Sequence, residues 1–243
     1  MHAPVNRWSV VLCAVLTVGC SGGPATTPGF EPVGASPPTE TTALMLRHYD
    51  HARALSSAAI FGDRTRAMAA AAAIRREADV RGVPAEAAPA YRAFAASVAT
   101  VERAESRTAL AATAADVARQ CGACHLASGL GPSFTVGRPM EAVTPRDHLR
   151  VLAWGSSRMW ESLIVGSDLA WRAGARALSG ERLREELYAS RISDLEAGRT
   201  LSARLHDLGV QALSTSERGE RAALLGEVWG TCSGCHALVG FGG

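Results

Sequence analysis

The sequence predicts an all-α protein made of two consecutive four-helix bundles. Ala, Leu, Arg and Glu recur at spacings of three and four residues, which is the period of an amphipathic helix. Alternating runs of Val, Ile, Thr and aromatic residues, which are typical of strands, are scarce. The chain also divides into two parts of similar length that end in the same short motif of two cysteines and a histidine. Duplication of one helical unit is the simplest explanation.

Residues 1–20 have the features of an export signal. One early positive charge precedes an apolar stretch, residues 8–18, that is too short to span a bilayer as a permanent helix. Gly19 directly before Cys20 resembles the processing site of bacterial lipoproteins, in which the cysteine becomes the acylated first residue. We therefore expect a lipid on Cys20 and a place on the periplasmic side of the bacterial cell envelope, with cleavage by the ordinary signal peptidase as the alternative.

Residues 21–40 follow this cysteine and are rich in Gly, Pro, Ser and Thr. Such a segment cannot bury enough apolar surface to fold. It is predicted to behave as a coil with a root-mean-square reach of roughly 25 Å. We interpret it as a flexible tether between a membrane and the first helix.

The charge pattern excludes one class of partner. The formal net charge is +2, and the basic residues are scattered among acidic ones instead of being clustered. A protein that binds nucleic acid usually carries a basic patch or stripe. We therefore expect no nucleic-acid partner.

The first unit, residues 41–128, is predicted to contain four helices. Gly82, Pro84 and Ser106 interrupt the helical pattern and separate its later members. Four such helices are expected to form a bundle. The four predicted helices cover residues 42–61, 63–79, 84–105 and 107–127.

The second unit, residues 144–243, follows a linker at residues 129–143. Thr144-Pro145-Arg146-Asp147 combines an N-cap residue, a proline at the first helical position and an acid in the first turn, which predicts a helix to about Val165. Residues 167–211 supply the middle helices, with a break between 179 and 193. Residues 214–217 are predicted to form a capping box for the last helix.

Each unit ends in a C-x-x-C-H motif, Cys121-Gly-Ala-Cys124-His125 and Cys232-Ser-Gly-Cys235-His236. In such a motif the two thiols add to the vinyl groups of haem, and the adjacent histidine binds the iron. A zinc site needs a different pattern of partners. A thioredoxin-like redox pair needs a strand before its helix and does not need the histidine. The sequence therefore predicts two covalently bound haems c, with His125 and His236 as axial ligands.

A C-x-x-C-H motif at the end of a four-helix unit resembles the cytochrome c-prime family and its low-spin, Met-ligated relatives, here in tandem over most of residues 41–243. The motif pair carries most of the resemblance, and the runs at residues 44–48 and 59–63 carry the rest. The resemblance implies that a residue of each first helix faces the distal side of the iron. In the family this residue is either a coordinating Met or an apolar side chain. The resemblance also implies a homodimer as one assembly.

The sixth ligand of each iron is sought at the start of the first helix of its unit. Only seven residues follow His236, and none is Met, His or Lys. In an up-down-up-down bundle the start of helix one lies level with the end of helix four. His48 is therefore the first candidate for the first haem and Met45, on its flank, the second candidate, and His148 is the candidate for the second haem. Alternatively, these histidines are half-exposed or hydrogen-bonded and Met45 is core filler.

These features predict an electron carrier that exchanges electrons with a redox protein as donor or acceptor and is not an enzyme. A haem-based protein that binds or senses nitric oxide or carbon monoxide is the alternative, and it requires a five-coordinate iron. A dihaem peroxidase is a weaker alternative, because no acid–base pair is recognisable by spacing. Since the linker joins the haem end of one unit to the first helix of the next, we expect both haems to flank the joint.

Overall fold

The computed structural model describes residues 40–77, 83–129, 131–139, 141–142, 144–180 and 185–240. The predicted signal, Cys20 and the predicted tether up to residue 39 lie outside these residues. The described chain contains α-helices and two short 3₁₀ turns and no strand, which confirms the all-α prediction. No helix among the described residues is both long enough and apolar enough to cross a membrane. The helices are α1 (Glu40–Phe61), α2 (Arg64–Arg76), α3 (Ala88–Val101), α4 (Arg107–Ser128), α5 (Pro145–Val165), α6 (Asp168–Leu178), α7 (Leu195–Ser214) and α8 (Arg218–Leu238).

Most helices begin where a capping side chain satisfies backbone N–H groups that lack a partner within the helix. The Asp63 carboxylate accepts from the Arg66 N–H at 2.9 Å at the start of α2. Before α4, the Ser106 hydroxyl accepts from the Ala109 N–H at 3.0 Å. Thr144 forms the capping box of α5 with the residue at position 147. These starts agree with the sequence prediction.

The start of α8 differs from the prediction. Helix α7 continues to Ser214, whose hydroxyl donates to the Gln211 carbonyl within that helix at 3.0 Å. The Glu217 carboxylate caps α8 instead, accepting from the Gly219 N–H at 2.6 Å and the Glu220 N–H at 3.2 Å. The capping box predicted at residues 214–217 is therefore wrong, because the hydroxyl is already engaged by the preceding helix.

The helices contact one another first within each half of the chain and then across the halves. In the first half α1 contacts α2 and α4, and α3 contacts α2 and α4. The second half repeats this pattern with α5–α8. The halves meet mainly through α4 against α8, with further contacts of α5 with α4 and of α1 with α8. Residues 38–243 consequently form one compact unit.

Helices α4 and α8 are antiparallel and pack through small residues. A methyl group added at Gly226 would lie 2.9 Å from the Cα atom of Ala112. One turn later, a methyl group at Gly230 would lie 3.7 Å from the Cα atom of Thr108. Since higher numbers on α8 face lower numbers on α4, the two helices run in opposite directions. The absence of a side chain at Gly226 is what lets the two backbones approach.

An aromatic cluster and a buried ion pair form a second contact between the halves. The ring of Tyr49 on α1 lies 5.4 Å from that of Trp160 on α5 and 5.9 Å from that of Phe134 in the linker. Beside them, the Arg158 guanidinium donates to the Glu161 carboxylate, and both side chains are buried. Burial raises the pKa of Glu161 to about 7 even though the Arg158 charge lowers it.

The raised pKa of Glu161 predicts a stability that falls with rising pH. The native state holds a proton on this carboxyl that the unfolded state releases near pH 4.5, so between about pH 4.5 and 7 the native state binds more protons. We expect the free energy of unfolding to fall by up to roughly 3 kcal/mol across this interval. Urea unfolding at pH 5 and pH 8 measures it. Glu161→Gln, which mimics the protonated carboxyl, should flatten the dependence, and an equally steep variant would contradict this assignment.

Candidate functional site

The first cysteine–histidine motif lies in the last two turns of α4. Cys121, Cys124 and His125 occupy helical positions i, i+3 and i+4, so they share one face of the helix. Both cysteines are free thiols and half-buried. Burial raises the pKa of the Cys121 thiol to about 12 and also raises the pKa of Cys124. Both sulfurs are therefore protonated at neutral pH and lie one turn apart beside an imidazole.

The ring of His125 is oriented by a helix of the other half. Its Nδ1 lies 3.1 Å from the carbonyl oxygen of Ile164 in the last turn of α5. A carbonyl only accepts, so Nδ1 carries the hydrogen, and the lone pair of the neutral ring is on Nε2. Burial lowers the pKa of His125 and favours this neutral form. A donor bond from one nitrogen to a carbonyl is the usual support of a histidine whose other nitrogen binds a metal.

The second motif occupies the last turns of α8 with the same helical spacing. Burial raises the pKa of the Cys232 thiol to about 12 and also raises that of Cys235. Burial lowers the pKa of His236, so this ring is also neutral near pH 7. The ring of Phe61, at the end of α1, meets the His236 ring edge to face with a centroid distance of 4.3 Å. Each motif histidine therefore contacts the last turn of the other half's first helix.

The two motifs lie at opposite ends of the α4–α8 pair. A side chain at Gly122, inside the first motif, would overlap the guanidinium of Arg218 at the start of α8. Eighteen residues of α8 then separate Arg218 from His236, which is about 27 Å of helix. The two motifs therefore do not lie side by side, and the expectation that both haems flank the joint stays a prediction. The linker runs without helix over residues 131–139 and carries the chain from one end to the other.

His48 is buried in the first half. It is 7% exposed, and its ring lies 6.1 Å from that of Phe94 on α3. Burial lowers its pKa, while a hydrogen bond with the Glu77 backbone raises it. Its Nε2 atom is buried and has no hydrogen-bond partner. A neutral imidazole with a buried lone pair is costly unless another group satisfies it, which is what a metal ligand requires.

The register of α1 against α4 places His48 level with the first motif. Gly62, which directly follows α1, lies beside Arg107, which begins α4. Fourteen residues separate His48 from Gly62, and fourteen separate Arg107 from Cys121. Because the helices are antiparallel and rise equally per residue, His48 and Cys121 lie at the same height. Met45, three residues earlier, is half-exposed.

The same register in the second half selects a different residue. Gly166, which directly follows α5, lies beside Arg218, which begins α8. Fourteen residues before Gly166 is Leu152, a partly buried residue packed on the core. His148 is half-exposed and lines a cavity of about 530 Å³ between α5, α6 and the linker, together with Trp154 and other residues. Leu152 is thus the counterpart of His48.

The residues present fit covalently bound haem. Each motif offers two protonated thiols and one neutral imidazole on one helix face, and His48, whose buried Nε2 has no hydrogen-bond partner, lies at the height of the first motif. Within the part of the chain that is described, no three or more His, Cys, Asp or Glu side chains are arranged to hold a metal ion. Haem does not require such a cluster, because thioether bonds and one axial histidine attach it.

Three supporting groups were missed by sequence reasoning. These are the Ile164 carbonyl and the side chains of Arg107 and Arg218. The only trace of the two arginines in the sequence is that each stands eighteen residues before a motif histidine. Such a spacing has no meaning until α4 and α8 are known to be antiparallel.

No protein-family model, curated protein or solved structure matches this chain.

Proposed function

We propose that this chain is an exported, membrane-tethered dihaem c-type cytochrome that carries electrons between redox proteins. The observation that carries the proposal is the support of His125, whose Nδ1–H donates to the Ile164 carbonyl and so leaves the lone pair of the neutral ring on Nε2. Helices α1–α4 and α5–α8 are then two four-helix bundles, each with its haem at the C-terminal end. A lipid on Cys20 and the segment at residues 21–40 attach them to the periplasmic side of a membrane.

Four thiols and two imidazoles hold the groups. Cys121 and Cys124 bind the first haem and Cys232 and Cys235 the second, with His125 and His236 as proximal ligands. A haem of this kind supplies one-electron exchange between ferric and ferrous iron. The chain supplies apolar surroundings and neutral imidazoles, which limit rearrangement when the charge changes. Electron transfer follows from this combination.

His48 is the distal ligand that we propose for the first haem. It has the same height as Cys121, a ring held at the Glu77 backbone, and a buried Nε2 that lacks a partner. Met45 is half-exposed and one turn away, so it is the weaker candidate. An iron with two histidine ligands is low-spin and has no vacant position.

The second haem favours a second candidate function, the binding of a small neutral gas. At the height of Cys232, α5 presents Leu152, which has no atom that binds iron. His148, the ligand predicted from the sequence, lines the cavity beside α6. We propose a five-coordinate second iron that admits carbon monoxide or nitric oxide on an apolar side.

One set of spectra tests these proposals together. The pyridine haemochrome of the purified full chain should give two haems c per chain, and one in the Cys121→Ala/Cys124→Ala variant. After reduction, carbon monoxide should change the spectrum of one haem per chain and leave the other low-spin. A chain without covalent haem would overturn the function. A response by both haems would remove His48 as a ligand, and a response by neither would remove the gas-binding candidate.

A further inference from the structure

Each haem-bearing helix begins with an arginine that lies beside the other helix's motif. Arg107 is the first residue of α4, and Arg218 is the first residue of α8. Each stands eighteen residues before the histidine of its own motif. Because α4 and α8 are antiparallel, the start of one lies at the end of the other. Arg107 of the first half therefore lies beside the motif of the second half, and Arg218 of the second half lies beside the motif of the first.

Arg218 is built into the surroundings of the first motif. Its Nη2 donates to the carbonyl oxygen of Leu163 at 2.7 Å, next to the carbonyl of Ile164 that receives His125. A side chain at Gly122 would overlap this guanidinium. The guanidinium is half-buried, and its charge is close enough to lower the pKa of His125. A fixed positive charge therefore stands beside the proximal ligand of the first haem.

Arg107 lies near the second motif, but its side chain is exposed, whereas that of Arg218 is half-buried. A methyl group on Gly62 would lie 2.8 Å from the Nε of Arg107 and would overlap the hydroxyl of Ser233. Ser233 stands three residues before His236, as Gly122 stands three residues before His125. Arg107 also lines a cavity of about 450 Å³ at this end of the molecule. Each half thus places one arginine near the motif of the other half.

We propose that Arg218 raises the midpoint potential of the first haem and Arg107 that of the second, each acting on the other half's site. The inference rests on the proposed function. Oxidation of haem iron adds one positive charge, so a fixed positive charge nearby favours the ferrous form. Along its own helix each arginine is about 27 Å from the motif histidine, well beyond the screening length of about 8–10 Å at physiological salt. Its effect therefore falls on the other half.

Charge-removing and charge-keeping variants of the full chain separate this role from a structural one. Arg218→Gln should lower the midpoint potential of the first haem and leave the second unchanged, and Arg107→Gln should do the reverse, so each is the control for the other. Arg218→Lys and Arg107→Lys should recover most of the shift. Redox titrations followed by electron paramagnetic resonance measure the two ferric signals separately. Chains that keep one motif, with both cysteines of the other changed to alanine, assign each signal.

The outcomes distinguish this inference from the proposed function. A glutamine variant that shifts only the haem on its own helix would overturn the inference. Equal shifts in the lysine and glutamine variants would also overturn it, because the charge would then not be the cause. Unchanged potentials in chains that hold two haems would overturn the inference alone. A wild-type chain without haem would overturn the proposed function and the inference with it.

Discussion

Gly226→Leu will lower the free energy of unfolding by about 3 kcal/mol, because it inserts a large side chain where α8 meets the backbone of α4. Even a methyl group at this position would lie 2.9 Å from the Cα atom of Ala112. A backbone atom cannot turn aside as a flexible side chain can, so the two helices must separate. The α4–α8 contact joins the halves and sets each arginine beside the opposite motif. Urea unfolding followed by circular dichroism measures the loss.

Two alanine variants on the same face of α8 provide the control. Alanine is favoured over glycine within a helix by up to about 1 kcal/mol. Gly230→Ala places its methyl group 3.7 Å from the nearest atom and should be stabilising. Gly226→Ala gains the same helix propensity but meets the Ala112 backbone, so it should be neutral or destabilising. Equal stabilisation by both variants would show that α4 and α8 do not approach closely at Gly226.

His48→Ala will make the first haem reactive towards carbon monoxide. In the proposed site the Nε2 of His48 occupies the sixth position of the iron, and alanine cannot reach it. We expect the low-spin bands of the reduced protein to disappear and the carbon monoxide bound per chain to rise from one to two equivalents. Visible spectra during a carbon monoxide titration measure both changes.

His51→Ala is the matched control for this variant. His51 lies three residues after His48 on α1 and is half-exposed. Its Nε2 is 3.4 Å from the Glu77 carboxylate. The His51→Ala substitution removes an imidazole of the same size but leaves the buried ring of His48 in place. The spectra of this variant should therefore equal those of the wild type. If His48→Ala and His51→Ala both leave the low-spin bands in place, the distal ligand is another residue.

Local signals in the sequence predicted most of the helices, although the third was expected to begin at residue 84 and α3 begins at Ala88, after a short 3₁₀ turn. The caps at Asp63, Ser106 and Thr144 combine a polar side chain with an apolar helical pattern, and such a signal needs no information from distant residues. The two C-x-x-C-H motifs are local in the same sense. The wrong capping box at Ser214 also has a local cause. The Ser214 hydroxyl could either cap α8 or bond within α7, and the sequence pattern did not show which of the two helices it would join.

The arrangement of the two halves was not predictable from these signals. The α4–α8 contact depends on glycine and alanine, whose pattern resembles that of any alanine-rich helix. The linker was long enough to place the motifs together or apart. The support of His125 by Ile164 joins residues thirty-nine positions apart, and one of the partners is a backbone atom. A backbone carbonyl has no residue type that marks it in a sequence.

The reciprocal packing of α4 and α8 has a consequence for how this protein can evolve. Two identical copies of one half would place the same residues around both sites, so every substitution would appear twice. A single chain that holds both halves is free of that constraint. His48 and Leu152 occupy matching heights and differ, as Gly122 and Ser233 also do. In a single chain one site can specialise without any change in the other.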